Sequence, residues 1–165
     1  MKGVKFSFLS EGRKMSQNSI FDVAKFFLSK NDANMTHKKL QKLCYYAFSW
    51  NLALRNKFLF REQFQAWVHG PVAPVLYSKY KEHGWKTIPS EDAPSFDQDD
   101  QAMLEEVFRI YGSFTGDELE TLTHSEEPWV YARGDLAPYE PSQVQLSDAI
   151  IKDYYLRVYE RAQND

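Results

Sequence analysis

Residues 36–54 read THKKLQKLCYYAFSWNLAL, and the rest of the chain can be read outward from them. Thr36 is a good helix cap, because its hydroxyl can accept from a backbone N–H of the first turn. Behind it Leu40, Leu43, Cys44, Ala47 and Leu54 recur at the spacing of one helix face. Phe48, Trp50 and Leu52 widen that stripe, so the helix is expected to be buried on more than one side. Lys38, Lys39 and Lys42 cluster near its start, with Tyr45, Tyr46 and Trp50 following. Three such rings exceed what one inward stripe holds, so at least one is expected outside as an anchor of the kind that dominates protein interfaces.

Upstream, Ser19 with Asp22 three places on makes a capping box for a helix over residues 20–29, and residues 31–34 form a polar turn. Downstream, Phe58, Phe60, Phe64, Ala66 and Val68 alternate with polar residues, although Trp67 breaks the pattern. Two short strands or an extended arm are expected there. Gly70-Pro71 should end that stretch, with Pro71 in the first turn of a helix running to about His83 and Gly84 as its C-terminal cap.

Residues 87–98 read as a polar, acidic loop with Pro89 and Pro94. Met103, Leu104, Val107, Phe108 and Tyr111 mark a helix over residues 99–111, which Gly112 ends. Thr115 and Glu118 form a second capping box, Pro128-Trp129 starts a helical turn ending at Gly134, and Ser147 caps a last helix through Ile150, Ile151, Tyr154, Tyr155 and Val158. The expected fold is mainly α: a single compact helical domain over residues 16–165 with a small inserted β-hairpin or extended arm. Residues 1–15 read as an N-terminal arm or upstream start, since Met15 stands just before a clean helix start.

Composition narrows the class. The chain has 165 residues, 43% of them hydrophobic and 16% aromatic, which excludes a disordered or low-complexity chain. Its one cysteine, Cys44, cannot form an internal disulfide, and no apolar run approaches a membrane span. A cytoplasmic protein is expected. The net charge of −3 hides a division: residues 1–86 hold 15 basic and 5 acidic groups, residues 87–165 hold 5 basic and 18 acidic. Much of this should cancel if the halves fold against each other, while an acidic face that remains would steer toward a basic partner.

Catalytic motifs are missing. Neither GxGxxG nor GxxxxGK[ST] occurs, and Cys44 sits mid-helix on the apolar stripe, where a thiol is a small hydrophobe. His37, His69, His83 and His124 show no HxxxH or HExxH spacing. The residues therefore point to no enzyme, no metal and no cofactor. Lys38, Lys39 and Lys42 with the aromatics behind them admit a local nucleic-acid contact, but a basic solvated face with inward rings is the favoured reading.

Two stretches, residues 36–50 and 66–77 (AWVHGPVAPVLY), together resemble the Panacea domain, the SocA-like antitoxin family also met as GepA-type phage-associated proteins. Tyr111-Gly112, residues 116–120 (GDELE), residues 122–129 (LTHSEEPW) and Ala132-Arg133 follow in the family's order. The likeness runs over roughly residues 19–155, with Cys44 and His69 as small departures from the pattern. The resemblance implies an antitoxin that neutralises a cognate protein toxin, encoded by the adjacent gene, by direct binding. It also implies two alternatives: an adaptor that hands a toxin to a Clp-type protease, or a phage-associated nucleic-acid-binding regulator. On this reading Lys39, Lys42, Tyr45, Tyr46, Trp50, Trp67, His69 and Tyr77 are the partner-binding candidates. Gly70, Pro71, Pro74 and Trp129 are structural.

Overall fold

Helix 36–54 becomes the axis of the molecule. The computed structural model describes residues 18–165; the expected arm over residues 1–15 lies outside them. In chain order the elements are α1 (Ile20–Leu28), α2 (His37–Arg55), β1 (Gln65–Trp67), β2 (Gly70–Val72), α3 (Pro74–Tyr80) with a 3-10 turn (Lys81–His83), α4 (Gln98–Tyr111), α5 (Gly116–His124), α6 (Glu127–Arg133) and α7 (Asp148–Asn164). α2 packs against α1, α3, α4, α5, α7 and β2. Most of its positions are buried all the way round, as its broad apolar stripe predicts. The domain is mainly helical with one small antiparallel hairpin.

The caps act as the sequence predicts. Ser19 and Asp22, and Thr115 and Glu118, each close a reciprocal capping box. Thr36 accepts from Lys39 N and Ser147 from Ile150 N, satisfying donors that a helix start leaves open. α2 ends at Asn56 in the left-handed region (φ 52°), and the 3-10 turn ends at Gly84 (φ 56°).

Between α2 and α3 the structure corrects one expectation. Pro71 does not open a helix. It lies in β2 opposite Ala66, and α3 begins at Pro74, which occupies the first helical turn instead. Ala66 N donates away from the hairpin to Val144 O, and Ala66 O accepts from Arg133 Nη1 at 3.2 Å. Ala66 and Pro71 thus exchange no hydrogen bond, and the missing N–H of proline costs nothing there. The alternating run before it shortens to one three-residue strand. Phe60 and Phe64 are buried and, with Phe58, set their rings 5.3–6.1 Å from Phe48.

The two charged halves do fold against each other. Lys30 pairs with Glu105, Lys38 with Asp117 and Glu120, and Arg55 with Asp100 at 2.5 Å. Each pair joins a base from the first half to an acid from the second.

Candidate functional site

A cleft of about 880 Å³ opens where the start of α2, the hairpin, α3 and the start of α5 meet. Thr36, His37, Lys38, Gln41 and Lys42 line it from α2, and Trp67, Val68, His69, Val72 and Tyr77 from the hairpin and α3. Lys81 and Trp85 stand along one side, and residues 141–143 of the loop before α7 along another. Its walls are largely apolar and aromatic: Trp67 meets Tyr77 edge-on at 5.0 Å, and Tyr77 stacks on His37 at 5.3 Å. Trp85 is 87% exposed, the largest exposure of any large apolar side chain among the described residues.

The hairpin is held over the cleft by a chain of indole contacts. Trp129 Nε1 donates to Trp67 O at 2.8 Å, Trp67 Nε1 donates to Gln65 Oε1 at 2.9 Å, and the Arg133 guanidinium lies over the Trp129 ring. Trp129 also stacks on His124 at 4.1 Å. Gly70 turns the hairpin with φ 105°, and a Cβ there would run into Lys42 Cε and come within 2.9 Å of Thr123 Oγ1. Only glycine suits that conformation at that approach.

Lys42 lies beneath this turn, 1% exposed. Among the described residues its Nζ makes one hydrogen bond, to Pro71 O at 3.1 Å. Burial pushes its ammonium down to about 7, with Glu120 opposing and Lys38 adding to the shift. His37 is pushed down to about 4, chiefly by burial and next by Lys42. Burial alone would raise Glu120, but the approach of Lys38 Nζ (2.8 Å) and His69 Nδ1 (3.1 Å) to its Oε1 outweighs it and holds the carboxyl low.

The candidates of the sequence divide. Lys42, Trp67, His69 and Tyr77 come together in the cleft. The expected exposed anchor on α2 is not found: Tyr45, Tyr46 and Trp50 are all buried. Helices α4, α5 and α7 surround this side of α2, so its rings have no outward face. They build a polar cluster inside the core instead. Tyr46 stacks on Tyr111 at 4.0 Å, Trp50 Nε1 donates to Tyr111 Oη, and Tyr46 and Tyr155 both donate to Glu126 Oε1 at 2.8 and 2.9 Å. Burial raises Glu126 to about 7.

The basic solvated face is corrected as well. Lys39 is 2% exposed, with its Nζ bound to Asp32 Oδ2 (2.5 Å) and Gly112 O (2.6 Å), and only Lys38 keeps partial exposure. Lysines early in α2 are covered because α5 abuts that end: a Cβ on Gly116 would lie 3.1 Å from Lys39 N.

His37, Gln41, Val72, Lys81 and Trp85 belong to the cleft and were not singled out from sequence as binding residues. Trp85, an indole directly after a helix-ending glycine, was the legible signal. Among the described residues no group of three or more His, Cys, Asp or Glu side chains could hold a metal, and no helix is long and apolar enough to cross a membrane.

Comparison with known proteins bears on the same segments. Residues 40–130 match the family model for the antitoxin SocA-like, Panacea domain, over more than half of the chain. The chain belongs to this family. It is also similar to Antitoxin SocA of Caulobacter vibrioides (strain NA1000 / CB15N), with 27% identity over 138 residues, covering 75% of this chain and 73% of that protein. No solved structure gives a significant match. Membership in the family supports an antitoxin role and, with it, a toxin as partner in general.

Proposed function

We propose that this protein is an antitoxin that neutralises a cognate protein toxin by binding it directly, without catalysis, through the face that carries the cleft. One observation supports this most. The two stretches that carry the family likeness, residues 36–50 and 66–77, lie apart in sequence yet pack against each other and together line one concave, aromatic site. Such a site suits an inserted side chain or segment of a partner, with polar groups placed to orient it. The toxin is the product of the adjacent gene, and covering or locking it is the mode of neutralisation.

The test is growth of cells expressing the adjacent gene, with and without this protein, while the toxin's level is followed by immunoblot. Direct neutralisation predicts growth arrest relieved at unchanged toxin level, with a complex recovered on purification. Relief accompanied by protease-dependent loss of the toxin would replace neutralisation with delivery to a Clp-type protease. No relief and no complex would refute the antitoxin reading.

A further inference from the structure

The cleft presents hydrogen-bond donors that nothing among the described residues uses. Lys42 Nζ carries three N–H bonds when charged and spends one, on Pro71 O. His37 adds another. Ala73 N donates to Gln41 Oε1 at 3.0 Å, which fixes the Gln41 amide with its nitrogen toward His37 Nε2 at 3.1 Å. Since that nitrogen donates, Nε2 accepts, and a neutral His37 then carries its proton on Nδ1. That N–H has no partner among the described residues. Lys81 adds an exposed ammonium with no ion pair among those residues. Of the carboxylates nearby, Asp117, which lines the cleft, and Glu120, which acts on Lys42 from behind it, are both already paired with Lys38.

A buried amine with unused donors and a neutral imidazole N–H lining the same open cleft make a setting for an anionic acceptor. We infer that the cleft receives an acidic segment of the protein partner, with one Asp or Glu carboxylate bound between Lys42 and His37 and its apolar neighbours packed on Trp67, Tyr77 and Trp85. The size of the cleft favours a peptide segment over a lone carboxylate, for its apolar walls extend well past the two donors. This inference rests on the antitoxin reading and adds the chemistry of the contact.

The experiment is calorimetric titration of the full chain with the purified product of the adjacent gene, comparing wild type with Lys42→Met, His37→Phe and Trp85→Ala. Methionine keeps the buried stem under Gly70, phenylalanine keeps the stack on Tyr77, and Trp85 is too exposed to matter for folding. Each variant's melting temperature is measured alongside. The expected result is a loss of affinity of about tenfold or more for Lys42→Met, a similar loss for His37→Phe and a loss of several-fold for Trp85→Ala. One Asp or Glu of the partner, changed to Asn or Gln, should lose affinity in wild type but little further in Lys42→Met.

Millimolar free glutamate in the cell should compete weakly or not at all. Full competition by free glutamate would assign the cleft to a small carboxylate and overturn the peptide assignment. Folded Lys42→Met and Trp85→Ala variants binding within twofold of wild type would overturn the inference while leaving the antitoxin reading intact. If Lys42→Met does not fold, Trp85→Ala and His37→Phe decide the matter. A wild-type chain that neither binds nor rescues would overturn both.

Discussion

Two buried titratable side chains, Lys42 and Glu126, set the character of this domain at the scale of single residues. Glu126 shares its Oε1 between the hydroxyls of Tyr46 and Tyr155, and burial lifts its carboxyl from near 4.5 to about 7. An unfolded chain releases that proton near 4.5, whereas the folded chain holds it to about 7. Stability from this group is therefore full below 4.5 and lost as pH rises through 7, on the order of 3 kcal/mol in all. Glu126→Gln keeps the shared acceptor without the charge. Urea unfolding at pH 5 and pH 8 should show wild type losing roughly 2–3 kcal/mol relative to Glu126→Gln; parallel losses would contradict the assignment. The comparison between variants matters because His37 and Lys42 also titrate within reach of this window. Gly70 offers a second test. Gly70→Ala forces a left-handed φ on alanine and displaces Lys42, so thermal melting should show a loss of about 1–2 kcal/mol or more. A melting temperature equal to wild type would show that the turn relaxes freely.

At the scale of elements, a buried ion pair joins the end of α2 to the start of α4. Arg55, 8% exposed, donates to Asp100 Oδ1, and Asp100, 2% exposed, also accepts from Asn18. Removing the nearest carboxylate from a buried guanidinium is costly, so Asp100→Ala should lower stability by about 3–5 kcal/mol. Asp99, exposed and 4.0 Å from Arg55, is the control: Asp99→Ala should cost less than about 1 kcal/mol. Denaturant unfolding of the two variants checks both, and equal losses would remove Asp100 from its role. Helix starts were legible in the sequence because caps are local: Ser19, Thr36, Thr115 and Ser147 each declare themselves within four residues. The hairpin was half legible. Two prolines, Pro71 and Pro74, were each acceptable as a helix start, and the choice fell to Ala66 pairing outward with Val144 and Arg133, which local pattern does not contain.

At the scale of the whole molecule, the basic first half and acidic second half serve mainly to join the domain, through pairs such as Lys30–Glu105 and Lys38–Glu120. The site was legible only in part for the same reason. Trp67, His69 and Tyr77 were identified from the hairpin motif, but the burial of Lys39, Lys42, Tyr45, Tyr46 and Trp50 depends on which helices cover α2, a matter of tertiary packing. Lysines in particular read as surface, because only a formed cavity or a distant acceptor makes them otherwise. Among the exposed large apolar side chains, Tyr77 and Trp85 mark the cleft, while Val130, Tyr131, Leu136 and Tyr139 form a second strip over α6 and the following loop. Backbone hydrogen exchange of the chain, free and saturated with the adjacent gene's product, separates these two faces most directly. Toxin binding at the cleft predicts slowed exchange in residues 67–72 and 81–87, with residues 130–140 unchanged. Protection confined to residues 130–140, with the cleft segments exchanging as in the free protein, would contradict it.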